Sequence, residues 1–517
     1  MKMRSFPSAL ACAVLFIFTS TPAGAASQTN SRELNPAEKW VVAQVTAGEG
    51  EEANLSKQFP ADKDRKLRAH FLEDLLTGAL PGVKPHRHGV GIIGAIIDEP
   101  IDLENAQIPC QVGLAHCHFN KSVTFARASF AGTVSFDDSR FKAEATFSGM
   151  KVGHTAFFRK AVFEGPVTFA SADIAWQFVA NEAQFENKNV EQGANFNSMK
   201  VRGGAFFSNA VFEGPVNFVG VDIANFEAQE AKFQNKEQEA SFSGMKVGYS
   251  AFFRKAVFEG PVDFTLADIA SNFEAVGAKF NNKEKEASFN SMKVRGDAFF
   301  KNAVFEGPVD FSYADVAWLD LSVASWPKVA AQFHMQGMSY KYVRAVPNNE
   351  PESHKALLKL ADQSFYTADV YSNLEEFFLR QGYRGDADRA FIAGKRRERK
   401  ENLHGSDWLG SWLLDWLVGY GRHPWQAGIP CAVLVALGCV LFSPKKMEPQ
   451  KPDDAPRVYS RFWYSLGLFL PVVDLQADKV WKPRADQTFL RNYMRVHIML
   501  GWILIPIVLA ALTGLIK

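Results

Sequence analysis

Few side chains in this sequence have the type and spacing that chemistry asks for. Cys110 and Cys117 lie close together, His116 and His118 flank the second of them, and His86 and His88 stand upstream. Cysteine thiolates and histidine nitrogens are the ligands a zinc ion prefers. Two nearby cysteines can close a disulfide when their Cα atoms come within about 7 Å. Four carboxylates, Glu164, Glu213, Glu259 and Glu306, recur with basic neighbours at Arg159 and Lys160, Arg202, Arg254 and Lys255, and Lys301. Acid–base work by such groups requires a concave site that separates two pKa values. No Ser/His/Asp arrangement, phosphate loop or dinucleotide fingerprint stands in a supporting context. What these residues can do depends on the elements that hold them.

Those elements announce themselves through phenylalanine. The chain has 45 Phe against 11 Trp and 11 Tyr among 517 residues, a bias that points to one apolar position repeated many times. From Ile92 to Ile174 sixteen large apolar residues follow one another at spacings of five and six in strict alternation. Phe119, Phe125, Phe130, Phe136, Phe141, Phe147, Phe158, Phe163 and Phe169 are the structural anchors of this series. Neither a helix nor a flat strand generates such spacing; a chain that turns a corner every five or six residues does. The residue two before each anchor is mostly small or β-branched, as at Ala128, Val134, Ala145 and Ala156. Residues i and i−2 of a strand share a face, so a large and a small side chain enter the interior together and fill it without voids.

This pattern resembles the pentapeptide-repeat family in its Phe-centred variant. The resemblance spans roughly 91–321 and implies a mainly-β fold: a right-handed quadrilateral parallel β-helix of 22 residues per coil, about ten coils and roughly 50 Å long. A longer period lies on top. Ala-Val-Phe-Glu-Gly-Pro-Val begins at Ala161, Ala210, Ala256 and Ala303, and Phe-x-x-Met-Lys-Val at Phe147, Phe196, Phe242 and Phe289. Each block holds two coils and a short Asn/Lys-rich outward loop, as at 186–191 and 281–286. Solenoid ends need caps; Leu67, Phe71, Leu75 and Leu76 give a helical stripe ending at Gly78, expected to be the N-terminal one.

In this frame the candidate chemistry falls away. Cys117 points inward as a small core residue, with Cys110 beyond an anchor on another side, out of bridging reach. His116 and His118 project outward, opposite Cys117. The recurring glutamates form a solvated charge ladder on a convex side. The expectation is a non-enzyme with no catalytic, cofactor or metal residues.

The expected organisation is a signal peptide at 1–26, a helical cap at 27–90, the solenoid at 91–322 and a helical linker at 323–406. A Trp-rich interfacial helix follows at 407–426, then a spanning helix at 427–442, a basic connector at 443–496 and a second spanning helix at 497–516. Helices are expected at 354–380 and 386–402. Trp408, Trp412 and Trp416 share one helical face and, with Trp425, suit a membrane–water interface. The run from Lys395 to Lys400 suits a solvated helix face or lipid headgroups. The connector carries ten Lys/Arg, which places it in the cytoplasm and the solenoid in the periplasm of a bacterial inner membrane. The short apolar stretch 462–473 between two spanning helices resembles the pore loop of channel-fused members of the family. It reads Leu-Gly-Leu-Phe-Leu-Pro-Val-Val-Asp-Leu where a Thr-x-Gly-Tyr-Gly filter belongs, and Gly419-Tyr420-Gly421 precedes the first span. Some relatives in the family mimic DNA and inhibit gyrase. Here 29 Asp/Glu and 21 Lys/Arg over 91–321 leave only −8, and export would separate the solenoid from nucleic acid. The expected partners are membrane lipids and a protein the sequence does not name.

Overall fold

The computed structural model describes residues 33–47, 52–188, 192–327, 332–450, 458–470 and 480–513; the expected signal segment at 1–26 lies outside them. From Val90 to Arg344 the chain winds as a parallel β-solenoid with four sides per coil. Side 1 opens with Val90–Ile93, side 2 with Ile96–Ile97, side 3 with Ile101–Asp102 and side 4 with Gln107–Ile108. On side 2 Ile97 pairs with Phe119, Phe119 with Phe141 and Phe141 with Phe163, each 22 residues on. Side 3 carries eleven strands, hence eleven coils. Sides 4 and 1 merge into one 19-stranded sheet, because strands such as Lys200–Phe206 and Lys293–Phe299 run straight through their shared corner.

The interior is a set of ring columns. On side 2 consecutive Phe rings from Phe119 to Phe305 stack with centroids 4.5–5.2 Å apart. Side 3 repeats the arrangement from Phe125 to Phe311. Each buried ring contributes on the order of 2–3 kcal/mol, and every coil supplies the surface that buries the next.

Side 1 and side 4 explain the two-coil period. On side 1 the inward pair is Ala156 and Phe158 in one coil, Phe178 and Ala180 in the next, then Ala205 and Phe207, then Phe226 and Ala228, all buried. From Ala156 to Phe300 the large and small residues exchange places at every coil; the coils before Ala156 keep one order. Side 4 compensates: the side 4 strand that runs into an Ala-before-Phe pair on side 1 carries Met150/Val152 or Met199/Val201, and the one that runs into a Phe-before-Ala pair carries Ala172/Ile174 or Val221/Ile223. A close-packed interior fixes volume to within a methylene, so two complementary coil types alternate and the sequence repeats only every second coil. The outward loops 234–239 and 281–286 leave between sides 2 and 3; the expected loop at 186–191 lies partly outside the described residues. The later ones stack: Asn282 Nδ2 donates to Lys236 O at 3.3 Å and Lys285 Nζ to Glu237 O at 2.7 Å.

Both ends are closed. Helix α1 (Pro36–Ala47) and helix α2 (Ala69–Thr77), which stops at the left-handed Gly78, cover the first coil, and Ala53–Asn54 adds a strand to Val90–Ile93. At the far end Trp326 stacks on Phe305 at 5.5 Å. The strand pairing continues past the point where the sequence period fades, through Phe333–His334 and Ser339–Arg344. Three helices follow, α3 (Glu350–Gln363), α4 (Ala368–Arg380) and α5 (Arg384–Glu401). The single helix expected over 354–380 is therefore two. The break at Ser364 arises because the next residue, Phe365, donates its backbone N–H to Phe333 O of the last coil at 2.9 Å. Helix α4 caps this coil through Tyr340 against Phe377 and Arg380 to Tyr340 O.

Helix α6 (Gly405–Val418) leads to α7 (Gly428–Leu441), α8 (Arg461–Phe469) and α9 (Thr488–Leu512). Among the described residues two segments, Pro424–Leu441 and Thr488–Ala510, are long and apolar enough to cross a membrane. The second begins nine residues before the expected position at His497. Helix α8 packs between them through close approaches: a Cβ at Gly438 would lie 2.1 Å from Ser465 Oγ, and one at Gly501 2.1 Å from Phe469 O. Small residues allow such contacts where helices associate without a hydrophobic driving force.

Candidate binding face

Cys117 is fully buried and Cys110 half-buried, both as free thiols. Burial pushes the Cys117 thiol up to about 12 and raises that of Cys110 as well. Only the thiolate is reactive, so iodoacetamide is expected to modify Cys110 slowly and Cys117 only after denaturation, with peptide mass spectrometry as the readout. His116 faces out beside Asp138, its Nε2 3.9 Å from the carboxylate; His118 is also exposed, and His86 and His88 sit ring against ring at 4.6 Å. The recurring glutamates bond to the neighbouring coil rather than to the basic residues nearest in sequence. Glu164 accepts from Arg140 at 2.5 Å, Glu259 from Asn281 at 2.9 Å, and Glu213 faces Lys188 at 3.1 Å. Arg159, Arg202 and Arg254 turn instead to Asp137, Asp173 and Glu274. Exposed pairs of this kind contribute under about 1 kcal/mol each and run from one coil to the next.

The exterior differs sharply from side to side, because the residue between the two inward positions points out. On side 4 it alternates Lys151, Asp173, Lys200, Asp222, Lys246, Asp268 in register, each charge beside its opposite. Side 3 shows Thr124, Thr146, Thr168, Asn195 and Asn217. Side 1 is aromatic. Phe157, Phe206, Phe252 and Phe299 point outward in every second coil, separated by Val179, Glu227 and Glu274. Trp176 and Tyr249, at the adjoining corner, are 52 % and 63 % exposed. Arg159 and Arg254 lie over Phe157 and Phe252 at 4.8 and 5.2 Å, a cation–π geometry. The ring of Phe206 is laid across Gly204, where a Cβ would come within 2.4 Å of it.

Toward the N-terminal end this face deepens into a groove of about 780 Å³. Its outward positions shrink to Gly91, Gly113 and Ser135, and its walls come from Glu52, His86, His88 and Gln111. The groove runs on into Phe157 and Arg159, so trough and aromatic row are one surface. Sequence reasoning missed it. The available signal was the doublets Phe157-Phe158, Phe206-Phe207, Phe252-Phe253 and Phe299-Phe300, in which one ring fills the core and the other must face out.

The membrane-proximal residues form a second, separate surface. Trp408, Trp412 and Trp416 lie along one exposed side of α6, with Trp425 beyond it at 66 % exposure, and the Trp412 and Trp416 rings stack at 6.1 Å. In the basic run of α5, Arg396 and Lys400 are exposed, and most of its side chains also hold acidic partners. Arg396 and Arg399 both donate to Asp415 of α6, at 2.9 and 3.0 Å, while Arg397 holds Glu401 and Lys395 holds Glu398. Burial alone would raise the Asp415 carboxyl, but the two guanidinium groups outweigh it and hold it below the usual range. Gly419-Tyr420-Gly421 makes a tight turn that hands the Tyr420 hydroxyl to Arg399 at 2.9 Å. The run thus clamps the helix that carries the tryptophans. Comparison with protein-family models, with curated proteins and with solved structures finds no match to this chain.

Proposed function

We propose that this chain is a membrane-anchored pentapeptide-repeat protein that works without catalysis, as a rigid scaffold presenting side 1 to a partner. The observation that carries this reading is the row of outward aromatics on side 1, where side 4 is charged, side 3 polar and side 2 alternates valine with polar residues, joined through the Arg396–Asp415–Arg399 clamp to two helices fit to span a membrane. Half-buried aromatics held in order along a stiff β surface bind with little further entropy lost on the protein's side. The lysine- and arginine-rich connector supports a cytoplasmic position for 443–496, and with it a periplasmic solenoid at a bacterial inner membrane. Alkaline phosphatase fused after Leu321 is expected to be active in cells. An inactive fusion, with an active one after Lys446, would reverse this orientation. In-cell crosslinking from side 1 should capture a partner that probes on side 4, at Lys246 or Lys293, do not.

A second reading, a transport-related protein, draws support from the core of the helical bundle. His497 is fully buried among α7, α8 and α9, with Nε2 3.1 Å from Ser465 O and the Tyr493 hydroxyl 3.3 Å from Nδ1. Ionisable groups at such depth are often functional. The part of the apolar stretch where a filter would stand, from 471, lies outside the described residues. Currents across planar bilayers containing the purified protein would favour this reading over the scaffold.

A further inference from the structure

The scaffold reading leaves the partner of side 1 open, and the inference that follows rests on it. We propose that side 1 binds an extended, unbranched β-linked glycan strand lying lengthwise along the solenoid, with the chain end in the N-terminal trough.

The spacing is the first argument. Phe157, Phe206, Phe252 and Phe299 face out two coils apart, and two stacked strands measure about 10 Å. That is close to one disaccharide of an extended β-1,4-linked polymer, in which every second sugar presents the same face. Rigid rings at this repeat can meet equivalent sugars along the whole strand.

The chemistry is the second. A pyranose ring has an apolar face of C–H bonds and a rim of hydroxyls. It needs an aromatic surface for the first, whose negative face attracts polarised C–H groups, and planar polar side chains for the second. Side 1 alternates the two. Between the Phe positions come Glu227 and Glu274, with Asn225 and Asn272 beside them. Asn272 Oδ1 accepts the Asp297 N–H at 3.1 Å, and Asn225 Oδ1 the Ser250 N–H at 3.4 Å, so these amides are fixed in advance of binding. The ring of Phe206 lies over Gly204, whose missing side chain leaves room for it on the outer surface.

The distribution of charge is the third. A protein–protein interface has a contiguous apolar core depleted in charge. Here each outward ring in the C-terminal half is separated from the next by a carboxylate, and Arg159 and Arg254 interleave with Glu227 and Glu274. Such a surface carries neither the positive field that a nucleic acid or an anionic headgroup needs nor an unbroken apolar patch. It suits a neutral, hydroxyl-rich polymer. The trough agrees with this: its glycine floor at Gly91 and Gly113 gives depth, and His86, His88 and Gln111 supply polar walls at the end of the row.

The test uses the full chain in detergent. Binding is measured by calorimetry with the β-1,4-linked hexamer of N-acetylglucosamine and by co-sedimentation with chitin, cellulose and purified peptidoglycan. The intact protein is expected to bind at least one of these saturably. Trp176→Ala with Tyr249→Ala, both at exposed corner positions, should weaken binding about tenfold with melting unchanged, while Lys246→Ala with Asp268→Ala on side 4 should bind as the wild type. Absence of binding to every glycan, or binding indifferent to the side 1 variants, overturns the proposal. In that case a photo-crosslinker at position 176 separates the two readings. Capture of a protein or of a second copy of this chain leaves the scaffold standing with another partner, and capture of nothing removes both.

Discussion

Exchanging Phe178 and Ala180, which keeps the composition and moves one ring by two residues, is expected to destabilise the solenoid by about 4–8 kcal/mol. In the native coil Phe178 lies beside Ala156 and Ala205 of the neighbouring coils, and Ala180 lies level with Phe158 and Phe207. The rings of side 1 therefore stagger, with Phe178 5.5 Å from Phe158 and 5.4 Å from Phe207. The same coil carries Ala172 on side 4 where its neighbours carry Met150 and Met199, so the Phe178 ring fills room that methionine occupies above and below. After the exchange three alanines stand in one column and three phenylalanines in the next. The first column leaves a cavity like that of a Phe→Ala replacement, about 3–5 kcal/mol, and the second is overpacked against Ile174, about 1–3 kcal/mol more. Thermal denaturation of the intact protein in detergent, followed by the β signal in far-ultraviolet circular dichroism, reads the effect. The decisive comparison is with Phe178→Ala alone: the double variant should be no more stable than the single one. If it regains wild-type stability, the alternation is an accident of descent and packing does not set the two-coil period.

That alternation also decides how far the fold can be read from the sequence. Up to Ile174 every side places its large residue at the same offset, so spacings of five and six expose each corner. The next anchor position is Ala180, and later ones on the same side are Ala228 and Ala275; the ring has moved two residues back and the series of large residues breaks. The coils do not stop. The final coil is hidden for a similar reason, since its inward residues are Phe333, Met335, Tyr340 and Val343, a set with no common type. The break between α3 and α4 is invisible because helical periodicity runs on through Ser364 and a contact with Phe333, some thirty residues away, ends it. The tryptophan stripe was legible because i, i+4, i+8 spacing is a local property of one helix. The partner of Arg396 and Arg399 was not, because Asp415 belongs to another helix and only packing brings it near. The candidate binding face falls between these cases. Each outward Phe stood in plain view, but beside a core Phe that already accounted for an aromatic at that place.

Two glycines separate a conformational requirement from a spatial one, and they should respond in the opposite order to that suggested by their dihedral angles. Gly277 has φ +69°, a region costly to most residues, yet its Cβ would meet nothing closer than Lys255 Cγ at 3.6 Å. Other coils place Lys255 and Asn302 at this corner with φ of 55° and 56°. Gly277→Ala should therefore cost about 1 kcal/mol, and Gly277→Asn less. Gly260 has no such angle, and Pro261 fixes the backbone after it. Its Cβ would nevertheless stand 2.0 Å from Asn235 O and 3.1 Å from Gln238 O, both backbone atoms of the loop below. Gly214 and Gly307 press in the same way on Asn187 O and Asn282 O, at 1.9 and 2.0 Å. Each of these glycines bears directly on an outward loop, and the absence of a side chain is what lets loop and coil stack at strand spacing. Gly260→Ala must push the loop 234–239 away, breaking its bonds to Asn282 and Lys285 in the loop above. The expected cost is about 3 kcal/mol, seen as a lower melting temperature and as new protease cleavage within 234–239. Were Gly260→Ala as mild as Gly277→Ala, the loops would not be pinned by the corner beneath them, and the Gly-Pro signature that marks every second coil would need another cause.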